Sequence, residues 1–266
     1  MKFETLLYDV ANGVVTLTLN RPEKYNAFNL VMARELKVAW QAIIADPEIV
    51  CAIVTGAGER AFCTGMDVSD IASGDVEATG EMSRAETPWM GLTAIHNRCW
   101  KPVITAVNGM ASGGGLHFIA DSDLIVCADH ATFFDTHVKI GLIAGMEPVG
   151  LARRIPLEAV LRMALLGGSE RMSAQQALQC GLVGEVVPAD QLMERARELA
   201  GKISKHSPTA LARTKQCIWE SLDRGLDEAL ENTWRAINEH NGHPDLGEGS
   251  SAFVEKRAPR WAPYTG

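Results

Sequence analysis

Residues 101–145, KPVITAVNGMASGGGLHFIADSDLIVCADHATFFDTHVKIGLIAG, constrain the fold more than any other part of the chain. Val103–Val107 is an apolar, β-branched run between Pro102 and Asn108-Gly109, the pattern of a buried strand that ends in a tight turn. Gly113, Gly114 and Gly115 come next, and LHFIAD after them has room for two helical turns. The glycines therefore sit where a loop becomes a helix. At such a start the backbone N–H groups lack partners inside the helix, and without Cβ atoms a ligand can approach them closely. A developing negative charge could be held there, although a turn without any ligand would use the same residues.

Two histidines frame this stretch, His117 just inside the helix and His137 after the strand-like ATFFDT. Imidazole, with an unperturbed pKa of about 6.5, exchanges protons near neutral pH, so two rings in one cleft make a candidate acid/base pair. The plainer alternative is two core histidines bonded to backbone carbonyls. Asp121 stands at i+4 from His117, and Asp135 at i+2 from His137, where each could orient its ring.

At 266 residues and 47% hydrophobic, the chain can build one large core. The formal net charge of −8, with no offsetting basic run, argues against a nucleic-acid partner. The six cysteines are scattered through apolar segments without CxxC or zinc spacing, so reduced thiols in a cytoplasmic protein are expected and no metal site is. The first residues carry Glu4 and Asp9, unlike a signal peptide, and no apolar run reaches the roughly 20 residues of a membrane span, so no membrane partner is expected.

Along the chain, residues 3–9 and 14–19 read as a hairpin around Asn12-Gly13, and NRPEKYNAFN as a polar turn segment. A helix is predicted from about residue 30 to 45 with Asn29 as its N-cap. Residues 49–55 form a strand covered on both faces that runs into GAGERAFCTGMD. Strand, loop and helix thus recur at 49–70, 103–120 and 123–151. Residues 70–88 read as a mobile surface segment or lid, and 88–100 as a helix with Trp89, Leu92, Ile95 and Cys99 on its buried side. Glu147 stands where a carboxylate would cap a short helix over 148–154, and SAQQA has the form of a capping box. After residue 189 the pattern is helical throughout, which divides the chain into a mixed core, 1–188, and a helical assembly region, 189–266.

Taken in order, NRPEKYNAFN, GAGERAFCTGMDVSD, the 101–133 stretch, SAQQALQCGLVGEVVP, SPTALARTK and EGSSAFVEKRAPRW resemble segments of the enoyl-CoA hydratase/isomerase (crotonase) superfamily over nearly the whole chain. The resemblance implies an α/β fold, a spiral of ββα units with a C-terminal helical region, assembled as a homotrimer or a dimer of trimers. It implies an acyl-CoA substrate, with coenzyme A as part of that substrate and no permanently bound cofactor. The thioester oxygen would be held by the N–H groups of Met66 and Gly114. Coenzyme A contacts carry over to Lys24, Ala27, Gly65, Asp67 and Val68, and across a subunit boundary to Phe253 and Lys256. Where hydratases of this family resemble one another in two glutamates, this chain has His117 and His137. Hydration, hydrolysis, isomerisation and retro-Claisen cleavage all stay open, as does a non-catalytic acyl-CoA binding protein.

Overall fold

The computed structural model describes residues 1–68 and 88–264. The segment read as a lid and the side chain of Trp89 lie outside the described residues.

Among the described residues ten strands form two sheets. β1 (Leu6–Ala11) and β2 (Val14–Leu19) pair antiparallel around Asn12 and Gly13, whose φ values of +53° and +73° make the tight hairpin turn that Asn-Gly favours. β3 (Cys51–Gly56), β5 (Val103–Val107), β7 (Leu124–Ala128) and β10 (Glu185–Val187) extend this sheet in parallel, in the order β1-β2-β3-β5-β7-β10. The smaller sheet contains β4 (Ala61–Cys63), β6 (Met110–Ser112) and β8 (Thr132–Phe134) in parallel, closed by antiparallel β9 (Met172–Ser173). From β3 to β8 successive strands alternate between sheets, so each strand pair gives its first member to the large sheet and its second to the small one. Three such turns make the expected spiral. β3 and β5 are buried at every residue, which explains why their sequences are apolar without alternation.

The helix α1 (Leu30–Ala45) keeps its predicted bounds, with the Asn29 side chain accepting from the Met32 N–H. Its buried face of Met32, Leu36, Ala39, Trp40 and Ile43 joins the main core between the sheets. The other face of the large sheet is closed by α6 (Leu192–Ile203), whose Leu192, Ala196 and Ala200 pack with Cys51, Ile53 and Ile104. The first helix beyond residue 189 therefore serves the sheet. α7 (Pro208–Ser221) is tied to it by Lys215, 2.8 Å from Asp123, and by the Trp219 indole, which donates to Asp123 at 2.7 Å. α8 (Leu226–His240) and α9 (Pro244–Glu255) leave Leu230, Trp234, Phe253 and Val254 exposed.

The shorter helices between the sheets are α2 (His117–Ala120), α3 (Met146–Leu151), α4 (Leu157–Leu165) and α5 (Ala174–Gln179), the last opening on the predicted Ser173–Gln176 capping box. One predicted helix fails to form. Residues 88–100 are a short 3₁₀ turn, Pro88–Gly91, followed by irregular turns in which Arg98 has φ +54°. The Asn97 side-chain amide donates to the carbonyls of Gly91 and Thr93, and the Trp40 indole to that of Leu92. Side-chain donors have captured carbonyls that a helix would use. Leu92 and Cys99 are buried all the same.

Candidate active site

Three parallel strands of the small sheet, β4, β6 and β8, end side by side, and each runs into one of the segments singled out in the sequence: residues 64–67, 113–117 and 135–137. Ligands in parallel α/β architectures gather beyond such carboxyl ends.

The first two segments touch because they contain glycine. A Cβ on Gly65 (φ +89°) would stand 2.7 Å from the Gly114 nitrogen, and one on Gly115 only 2.2 Å from the Cys63 carbonyl oxygen. Phe28 forms a parallel bridge with Met66, its N–H donating to Gly65 O at 2.8 Å and its carbonyl accepting from Asp67 N at 2.9 Å. Residues 65 and 67 face Phe28, so by strand alternation the Met66 N–H is directed away from it. Among the described residues, backbone pairing outside the regular elements takes neither the Met66 nor the Gly114 N–H.

The two histidines converge on a carboxylate to which the sequence assigned only a capping role. Glu147, buried in the first turn of α3, places Oε1 3.2 Å from His117 Nε2 and 4.0 Å from His137 Nε2. The N-cap itself is Gly145, which has no side chain to offer. A charged residue inside the otherwise apolar GLIAGMEPVG was the signal for something more than capping. On the far side of its ring, His137 Nδ1 lies 3.0 Å from both oxygens of Asp135, which is fully buried and also accepts from the His137 backbone N–H at 2.8 Å. That contact is the one expected.

Asp121 does not orient His117. Its Oδ2 accepts from the Thr93 hydroxyl at 2.6 Å and lies 3.3 Å from Nε2 of His96, a residue that no sequence motif marks. His117 opens and Asp121 closes a helix of a single turn, so the carboxylate turns out toward residues 93–96 instead of along the helix. The His96 ring in turn packs edge-on to His117, with centroids 5.1 Å apart.

The profile of the enoyl-CoA hydratase/isomerase family matches residues 9–263. The chain belongs to the enoyl-CoA hydratase/isomerase family. It is 35% identical over 263 residues to the (E)-benzylidenesuccinyl-CoA hydratase of Thauera aromatica, covering 94% of this chain and 96% of that protein. It is 37% identical over 259 residues to the mevalonyl-coenzyme A hydratase of Aspergillus fumigatus (94% and 92% covered), and 35% identical over 263 residues to the carnitinyl-CoA dehydratase of Escherichia coli (96% and 97%). A solved enoyl-CoA hydratase/isomerase from Mycobacterium paratuberculosis superposes with a TM-score of 0.90 at 39% identity, covering 98% of this chain and 99% of that one.

Within this member of the enoyl-CoA hydratase/isomerase family, environment separates three neighbouring groups, His117, His137 and Glu147. Burial, with the facing His96 and His137 rings adding to it and Asp121 opposing, pushes the His117 imidazole down to about 4. The hydrogen bond that His137 donates to Asp135 raises its pKa above the ordinary imidazole value against the opposing effect of burial, and the Glu147 charge adds to the rise. Burial holds Glu147 above the ordinary carboxylate range, partly offset by a backbone hydrogen bond and by His137.

Of the residues through which the family resemblance implies coenzyme A binding, Ala27 and Asp67 are joined by Arg21, whose guanidinium donates to Ala27 O at 2.6 Å and Asp67 Oδ2 at 3.0 Å. Lys24, at the end of a 3₁₀ turn, and Val68 are exposed beside them. Phe253 and Lys256 are exposed at the end of α9, and among the described residues no hydrogen bond or ion pair links them to these loops. Burial pushes the neighbouring Cys63 thiol up to about 12, which removes it as a nucleophile. His96, His117 and Asp121 are the group among the described residues whose ligand atoms, all within 4.8 Å of one another, could hold a metal ion. The Asp121 oxygen nearest His96 is already engaged by Thr93 and His96.

Proposed function

We propose that this protein adds water reversibly to the double bond of an α,β-unsaturated acyl-CoA, as a hydratase of the lyase class. The observation that carries this reading is one carboxylate, Glu147, set between two histidines at the mouth of two glycine loops. Relatives named as two hydratases and a dehydratase, each of a different CoA ester, support the direction of the chemistry.

The thioester oxygen sits between the N–H groups of Met66 and Gly114. As the enolate forms, negative charge grows on that oxygen, and each such donor contributes roughly 3 kcal/mol or more to its stabilisation. Glu147, in its carboxylate form, accepts a proton from water as the water oxygen bonds to Cβ. The π electrons pass to the thioester oxygen, and the His137 imidazolium, fixed by Asp135, gives its proton to Cα as the enolate collapses. Glu147 then returns its proton across the 4.0 Å gap to His137, which restores both groups. The roles expected of two histidines thus fall to one histidine and one glutamate. His117, uncharged at neutral pH, is neither a useful acid nor a strong base, and its Nε2–H instead holds the Glu147 carboxylate in place.

Coenzyme A lies along residues 24–28 and 65–68, with Phe253 and Lys256 reaching it from a neighbouring subunit. The apolar side chains left exposed on α8 and α9 support assembly through the helical region as a trimer or a dimer of trimers.

The test is His137→Ala assayed for product from a panel of enoyl, aromatic and β-keto acyl-CoAs. The reading predicts hydration of an enoyl-CoA by the native protein and a loss of roughly 10² to 10⁴ in the variant, the usual contribution of a general acid. Acyl-CoA binding without turnover, or cleavage of β-keto esters alone, would replace it.

A further inference from the structure

The loops after β4 and β6 meet at Gly65 and Gly114, and a contact between two glycines has no side chain of its own to fix how far apart the loops stand. Strand pairing does not fix it either, since the register of β4 on β6 shifts between Ala61 and Cys63. Phe28 touches both loops. A Cβ on Gly114 would stand 2.6 Å from Phe28 Cζ and 3.0 Å from Cε1, so the ring rests against the Gly114 backbone. The main chain of the same residue brackets Met66 through Gly65 O and Asp67 N. Phe28 is itself held from both ends. Before it, Tyr25 and Asn26 take φ values of +53° and +55°, and the buried Asn26 amide donates to Ala57 O at 2.9 Å and Ala61 O at 2.8 Å while its oxygen accepts from the Arg21 N–H at 3.0 Å. Arg21 then joins Ala27 O to Asp67, and after Phe28 the Asn29 side chain caps α1. The ring is 3% exposed within the main core, which gives it a role in packing and none in substrate contact.

We propose that Phe28 is a positioning residue that sets the separation of the Met66 and Gly114 N–H groups, Met66 through its backbone and Gly114 through its ring. This inference rests on the reading of those two groups as the donors to the thioester oxygen. Such donors act when they lie about 2.7–3.1 Å from the place the oxyanion will occupy, and a displacement of about 1 Å can cost roughly 10²-fold in rate. Two donors carried by different strands meet that tolerance only if something rigid spans the loops. An aromatic ring held at both ends of its own segment does so.

The test is a double-mutant cycle of Phe28→Leu and Gly114→Ala. It is read by the infrared C=O stretch of bound acetyl-CoA carrying a ¹³C carbonyl, and by kcat and KM on the enoyl-CoA that the native protein hydrates. In the native protein binding moves the band to lower wavenumber, because hydrogen bonds to the oxygen weaken the C=O bond. Phe28→Leu withdraws the ring, and Gly114→Ala presses a methyl group against it. Each variant reduces the band displacement and lowers kcat by roughly 10- to 100-fold, with KM changed far less. In F28L/G114A the methyl group occupies space that the shorter side chain leaves, so the combined loss falls short of the product of the single losses by roughly tenfold or more. Should Phe28→Leu not fold, Phe28→Met takes its place, a flexible chain standing in for the rigid ring, with the same direction expected. A native band position in the variant at residue 28, or losses that simply multiply in the double variant, overturns the proposal. A fall in kcat with the band unmoved would show a merely structural role and would also overturn it. In both cases a displaced band in the native protein leaves the Met66 and Gly114 reading intact, whereas an unmoved band in the native protein with acetyl-CoA bound removes that reading and the inference with it.

Discussion

His117 and His137 carry the same ring a few ångströms from the same Glu147 oxygen, yet their pKa values are shifted in opposite directions. The cause is local. Asp135, fully buried, grips His137 through Nδ1, whereas the carboxylate nearest His117 in sequence is occupied with His96 and Thr93. This asymmetry predicts a bell-shaped dependence of kcat/KM on pH. The acid limb follows Glu147, which must lose a proton to act, and lies above the usual carboxylate range. The alkaline limb follows His137, whose imidazolium is lost as pH rises through its raised value. Asp135→Asn keeps an oxygen that can accept from Nδ1 but removes the negative charge that favours the His137 imidazolium, so its alkaline limb should move to lower pH while the acid limb moves little. An alkaline limb unmoved in that variant would show that another group sets it.

At the scale of elements, the site is made by three neighbouring strand ends and by glycines that let two of the following loops touch. Gly115→Ala would press a methyl group onto the Cys63 carbonyl, 2.2 Å away and held by β4, where no flexible side chain can yield. Overpacking of this kind costs typically about 1–3 kcal/mol, and the fall in the denaturation midpoint should be accompanied by loss of activity as the loops separate. Stability unchanged within about 0.5 kcal/mol would mean that the loop contact is softer than described. The loops were legible in the sequence because glycine and apolar runs are local signals: the strand Val103–Val107, the Asn29 cap and the Ser173–Gln176 box all stand where the residues place them. The Asp135–His137 contact was legible for the same reason, being two residues long. Glu147 and His96 were not. Both reach the site from other segments, so only the fold brings them to His117, and His96 lies in a stretch whose helical periodicity is overridden by Asn97 and Trp40 hydrogen bonds. Asp121 misled because helical spacing was extended to a helix only one turn long.

For the whole molecule, the buried neutral His117 couples the site to global stability. Its folded value of about 4 lies below the unfolded value of about 6.5, so the unfolded chain binds more protons between these pH values and stability falls as pH drops through that window. The loss amounts to on the order of 3 kcal/mol at the acid end. His137 and Glu147, both raised, act with the opposite sign, since each favours the folded state at low pH and less as pH rises. The difference between native protein and His117→Asn isolates the first contribution: the variant should lose stability less steeply from pH 6.5 to 4 in denaturant titrations. An equal slope in both proteins would place the proton elsewhere. Binding offers a second global readout. An acyl-CoA present at about 100 times its dissociation constant adds about 2.7 kcal/mol to the folded state, visible as a rise in Tm, and a chelator should leave both Tm and turnover unchanged. A chelator that abolished turnover would instead turn His96, His117 and Asp121 into metal ligands.

The central claim is that Glu147 takes the proton from water. Its most direct test is the rate of water addition to the enoyl-CoA that the native protein hydrates, measured for Glu147→Gln near neutral pH. Gln keeps the size of the side chain and can still accept the His117 hydrogen bond, but it cannot take up a proton. The account predicts that the rate falls by roughly 10² to 10⁴ while binding of the CoA ester is retained. A variant that hydrates within about tenfold of the native rate would contradict it and return the proton transfer to the two histidines.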